Sequence, residues 1–229
     1  MIKLKVFLSM RNSVLYMLIL LFSCSPKKEV NEEQNAIGDS VEVKSEGNPG
    51  EVQGEGYAIN FPLDSLLKFD SEEQLKKAFG DHVKRSIGYY PEGMGEYANT
   101  LLYPDTRNQV EFIWLDDSLT FSGLSSISLA GTETDWKTKE GITLGTKLKE
   151  LEVINQKSFT FSGLGWDYGG KVNWNEGRLY GRKLFITLEY PGESMPPQYE
   201  GLLGDQEIKS DSELARKANL VVYEIYMGK

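Results

Sequence analysis

Gly141-Ile142-Thr143-Leu144-Gly145-Thr146-Lys147-Leu148-Lys149-Glu150-Leu151-Glu152-Val153-Ile154-Asn155 is the stretch on which the architecture turns. The two glycines read as a turn, and Leu148, Leu151 and Ile154 recur at the three-residue spacing of a short amphipathic helix. Asn155 tolerates a left-handed backbone and reads as its stop. Beyond it, Phe159–Ser162, Lys171–Trp174, Lys183–Tyr190 and Leu220–Met227 are short, alternating and aromatic or β-branched, which predicts strands. One helix followed by about four strands is the pattern of this half.

The same order occurs upstream. Ser71-Glu72-Glu73-Gln74 reads as a capping box that opens a helix through Leu75, Ala78 and Phe79, with Gly80 as its stop. Extended stretches follow around Lys84–Tyr90, Tyr97–Tyr103, Gln109–Leu115 and Ser125–Ala130. Helices covering one face of an antiparallel sheet make an α+β fold, its other face open to solvent or a partner. Residues 57–229 suffice for one such domain, and halves 57–131 and 132–229 are candidates for tandem helix-plus-strands units.

The N-terminus has a different composition. Lys3, Lys5 and Arg11 precede the apolar run Ser13–Phe22, which has the length of a signal peptide and is short for a membrane span. The run ends in Leu21-Phe22-Ser23-Cys24, which resembles the lipobox of bacterial lipoproteins, with residues 1–23 as signal and Cys24 as the first mature residue. Cys24 is the only cysteine of the 229 residues, so an exported chain has no internal disulfide to make with it. The resemblance implies several acyl chains, palmitate among them, on Cys24. At about 0.8 kcal/mol per buried CH₂, more than one chain anchors firmly in a membrane. Ser25 stands where inner-membrane lipoproteins of enterobacteria carry Asp, which favours the outer membrane, facing periplasm or medium.

Residues 24–56 are rich in Glu, Lys, Asn, Gly and Ser and hold no aromatic residue. Such a segment buries too little apolar area to offset its ordering entropy and should be a disordered acidic tether. The whole chain has 25 basic and 34 acidic residues; without the signal the formal charge is −12, from 22 against 34. A phosphate-binding surface needs a basic stripe, so nucleic acid is not an expected partner.

Gly141–Asn155 also resembles the glycine-flanked helix entry of small periplasmic modules, such as β-lactamase inhibitory protein and the small lipoprotein of the outer-membrane β-barrel assembly machinery. Those modules set helices beside an antiparallel sheet, and the inhibitor does so twice in tandem. The resemblance implies a binding or scaffolding role without catalysis, toward an envelope protein.

The residues agree with a chain that has no chemistry of its own. His82 is the only histidine, and no serine has the glycine-flanked setting of a nucleophile elbow. Zinc needs clustered His and Cys, while Asp116-Asp117 and Asp211-Ser212-Glu213 are too isolated for a calcium loop. The glycines of 163–170 lack the lysine of a phosphate-binding loop, so neither metal nor cofactor is expected. Two carboxylates across a cleft would serve a glycan-cleaving enzyme, but with 34 acids that pattern selects no residues.

Two segments stand out. In Phe161-Ser162-Gly163-Leu164-Gly165-Trp166-Asp167-Tyr168-Gly169-Gly170, four glycines surround Trp166 and Tyr168. Exposed, those rings could stack on a sugar or anchor a protein, with Asp167 as a directional acceptor; buried, they would fill the core beneath the second helix. Trp114, Trp136 and Trp174 are expected in the core, Trp114 sharing a strand face with Phe112. The second segment, Pro191–Asp205, is too long for a hairpin turn and carries paired prolines; it reads either as a functional loop or as a mobile insertion with no role.

Overall fold

In the computed structural model, residues 59–90, 94–116 and 120–229 are described. Cys24, the signal segment and the tether lie outside them.

Helix α1 (Glu72–Phe79) starts where Ser71 Oγ accepts from the Gln74 amide at 3.3 Å and Gln74 Oε1 accepts from the Asp70 amide at 2.9 Å. Gly80, at φ +57°, ends it. Strands β1 (Val83–Tyr89), β2 (Glu96–Leu102), β3 (Val110–Asp116) and β4 (Ser122–Ala130) then form an antiparallel meander. Helix α2 (Leu148–Asn155), β5 (Thr160–Ser162), β6 (Val172–Asn173), β7 (Leu184–Glu189), β8 (Glu207–Lys209), α3 (Glu213–Ala218) and β9 (Val221–Gly228) complete the chain. The fold is α+β: a six-stranded sheet ordered β1-β2-β3-β4-β9-β7, a three-stranded sheet ordered β6-β5-β8, and short helices.

The second half keeps the order of helix then strands but not the layout of the first. β9 and β7 extend the meander's sheet, while β5, β6 and β8 form a sheet of their own. The two sheets touch where Lys171 bridges Thr187 and the Leu188 amide donates to the Gly170 carbonyl at 2.8 Å. A side chain on Gly170, at φ +75°, would place its Cβ 2.0 Å from the Leu188 carbonyl oxygen, so only glycine permits this approach. Asn155 is not the left-handed stop; Gln156 is, at φ +57°. The Asn155 amide is instead buried, donating to the carbonyls of Lys157 and Trp174 and accepting from the Leu179 amide. A buried amide that satisfies three backbone groups outweighs a local turn preference.

One face of the large sheet is apolar. Alternation puts Val110, Phe112 and Trp114 of β3 and Leu184, Ile186 and Leu188 of β7 into the core that Leu75 of α1 and Leu148 and Leu151 of α2 complete. Glu72 of α1 is also buried there. It accepts from Arg85 Nε at 2.8 Å and Thr100 Oγ1 at 3.1 Å, is bonded by Lys76, and Trp114 Nε1 donates to Thr100 at 2.9 Å. Burial opposes its ionisation, yet the bonds from Arg85, Lys76 and Thr100 prevail and hold the carboxyl below the ordinary glutamate range.

The opposite face is mixed. Glu111 accepts from Tyr97 Oη at 2.9 Å and Ser128 Oγ at 3.1 Å and is bonded by Asn99. Burial first, then the charge of Glu111, push the Tyr97 phenol above its ordinary range. Asn99 Oδ1 and Ser126 Oγ, on either side of Ile113, are buried with no hydrogen-bond partner. This polar line separates Leu115 from Phe185, both exposed, so the face is not a continuous apolar patch.

Candidate functional site

The four tryptophans divide three to one. Trp114, Trp136 and Trp174 are at most 5 % exposed, and each Nε1 is satisfied inside: Trp136 on the Asn108 carbonyl at 3.0 Å, Trp174 on the Leu184 carbonyl at 3.0 Å, and Trp114 on Thr100. Trp166 is 39 % exposed. Its Nε1 donates to the Gly163 carbonyl at 2.7 Å, which fixes the indole against its own loop rather than in the core. Tyr168, 37 % exposed, packs edge-on against it with ring centroids 5.4 Å apart. Phe159 and Trp174 are instead rings of this half buried in the core, 5.5 Å apart edge to face.

Trp166 stands on a cleft of about 400 Å³. Its position follows from local backbone chemistry. The Gly163 amide donates to Gln206, Leu164 exchanges hydrogen bonds with Leu202 and Gly204, and a Cβ on Gly163 would lie 2.3 Å from the Gly204 carbonyl oxygen. The glycine-rich segment is thereby strapped to the end of the 190–206 segment, whose 3₁₀ turn at Pro197–Leu202 buries Leu202. The two segments that stand out in the sequence thus face each other across one cleft.

β7 and β9 supply the third wall. Thr187 pairs with Glu224 and Leu188 with Val222, so Tyr223 is the extra residue of a bulge and turns toward the cleft. Leu164, Leu188, Met195 and Leu203 form the apolar lining; Trp166, Tyr190 and Tyr223 add rings. Asp167, Glu189 and Glu193 are the charged lining residues, all three exposed.

Of the residues singled out from sequence, Trp166 and Asp167 line the cleft, and Tyr168 supports Trp166 without lining it. Sequence reasoning missed Glu189, Tyr190 and Tyr223, and reached Glu193 only as part of Pro191–Asp205. Only Tyr190-Pro191-Gly192, a strand end meeting a turn signal, hinted at the first two. His82 packs beside Tyr103, with ring centroids 5.5 Å apart, away from the cleft's lining. Asp211-Ser212-Glu213 opens α3, where Ser212 Oγ accepts from the Ala215 amide at 3.3 Å.

Among the described residues no group of three or more His, Cys, Asp or Glu is placed to hold a metal ion. Nor is any described helix long and apolar enough to cross a membrane. No family model matches the chain, and no curated protein or solved structure compared with it gives a match.

Proposed function

We propose that this chain is a lipid-anchored, extracytoplasmic binding protein of the bacterial cell envelope, held by acyl chains on Cys24, that takes its ligand in the Trp166 cleft without chemistry of its own. The observation that carries the reading is the exposure of Trp166 beside an apolar hollow while the other three indoles are buried. A large ring kept half out of water at a concave surface is the usual anchor of a ligand or partner. The acidic tether and the lipobox support the anchoring part, which would hold the cleft clear of the bilayer.

Two measurements test it. Cys24→Ser should abolish acyl labelling and either release the protein from membranes or leave it unprocessed; a variant still matured and labelled would overturn the anchor. Trp166→Ala should weaken every ligand that perturbs tryptophan emission in a screen of peptides, saccharides and amines. Ligands bound equally well by the variant would place binding outside the cleft.

A further inference from the structure

The cleft gathers acids without bases. Several partly or fully buried carboxylates elsewhere are answered inside the fold, Glu72 by Arg85 and Lys76, Glu140 by Arg182, Glu152 by Arg216 at 3.0 Å, and Glu111 by Tyr97, Asn99 and Ser128. Asp167, Glu189 and Glu193 line one hollow, and none has an ion pair or hydrogen bond to its side chain within the described residues. No lysine, arginine or histidine lines it among the described residues. Three like charges around a concave surface repel one another and concentrate a negative potential there, which an entering cation relieves.

The rest of the lining is complementary to the same ligand. Indole and phenol faces attract an ammonium or guanidinium through their quadrupole, tryptophan best of all. Leu164, Leu188, Met195 and Leu203 offer an apolar bed to the methylene stem that carries such a group. An anion would meet the three carboxylates, and a neutral sugar would use the rings while leaving those charges unanswered.

Resting on the cleft as the binding site, we propose that its ligand is an organic cation, an ammonium or guanidinium on an aliphatic stem, supplied as a free amine or as a side chain of a basic peptide. The test titrates the full chain, in detergent micelles, by calorimetry. The cationic probes are agmatine, Nα-acetyl-lysine methylamide and tetralysine; the controls are Nα-acetyl-norleucine methylamide, which keeps the stem and loses the charge, and chitotriose, a neutral sugar.

The cationic probes should bind at least about tenfold more tightly than the norleucine amide. Binding should weaken several-fold as salt rises from about 20 to about 300 mM. Trp166→Ala and the triple variant Asp167→Asn, Glu189→Gln, Glu193→Gln should each lose about tenfold or more. Agmatine binding as well as tetralysine marks a free amine as the source, and tetralysine alone a basic peptide; either outcome supports the cation.

Norleucine amide equal to its lysine counterpart, or chitotriose binding through Trp166 where no cation does, overturns the cation and leaves the cleft as a binding site. Cationic probes bound equally by the Trp166 variant overturn both readings. No cationic probe bound at about 10 mM, a free energy of only about 3 kcal/mol, overturns the cation.

Discussion

The two halves of the domain spend a similar inventory of strands differently. In residues 71–130 a capped helix lies on a meander whose one register shift, at Ile113/Trp114, leaves four strands in a single sheet. The one acid buried among its described residues, Glu72, is answered by two bases and a hydroxyl. In residues 141–228 the strands divide between two sheets, glycines let backbones approach too closely for a side chain, and a bulge turns Tyr223 outward. The regular half answers its buried acid internally, though Asn99 Oδ1 and Ser126 Oγ stay without a hydrogen bond; the irregular half leaves an open hollow lined by acids that have no ion pair. Local irregularity is thus where this fold has room for a ligand.

The comparison is broken most severely at the joint between the sheets. Gly170→Ala must move the Leu188 carbonyl and adopt an unfavourable positive φ, so it should cost about 3 kcal/mol and lower the urea midpoint. It should also change the quenching of Trp166, because the cleft wall shifts with Leu188. Loss of stability without any change at Trp166 would separate the joint from the cleft.

Glu72→Ala, in the regular half, should cost about 2 kcal/mol, since Thr100 and Trp114 lose an ordered chain of bonds while Arg85 and Lys76 regain water. Trp166 should be untouched by it. The same carboxyl predicts an acid limb. Ionisation of Glu72 is favoured in the folded state, so its stabilisation is complete above the ordinary glutamate range and is lost as pH falls through its lowered value. Denaturant midpoints measured from neutral pH downward should fall less steeply in Glu72→Gln, and identical slopes would assign the acid limb to other carboxyls.

The smallest effect on stability belongs to Trp166→Phe, under about 1 kcal/mol for a half-exposed ring. It should nevertheless remove most of the acrylamide-quenchable emission, since the three remaining indoles are buried. Quenching unchanged in this variant would erase the contrast between one exposed and three buried tryptophans.

The helix α1 was legible because its signals are local: a serine cap, a glycine stop and apolar residues at helical spacing all lie within ten residues. The strands were legible for the same reason, as alternation along β7 shows, where Leu184, Ile186 and Leu188 point in and Phe185 and Glu189 point out. Helix α3 and its Ser212 cap could have been found by the same rules, with Asn219, at φ +53°, as its stop. The burial of Glu72 could not. By sequence it is only an acid of the helix's first turn, and the partners that hold it, Arg85 and Thr100, come 13 and 28 residues later. Nor does alternation along β9 place Tyr223 in a cleft, because the bulge that turns it exists only opposite Thr187 and Leu188.

Composition and short-range pattern therefore determined the class of fold, helices α1 and α2, most strands and the acidity of the chain, since each depends on composition or on neighbours within a turn or two of the backbone. Only the tertiary structure decided how the strands divide between sheets and that 163–170 faces 190–206. It also decided that Asp167, Glu189 and Glu193 share one hollow. Those outcomes depend on backbone contacts between residues far apart in the chain, Gly170 with Leu188 and Leu164 with Leu203, which no local pattern encodes.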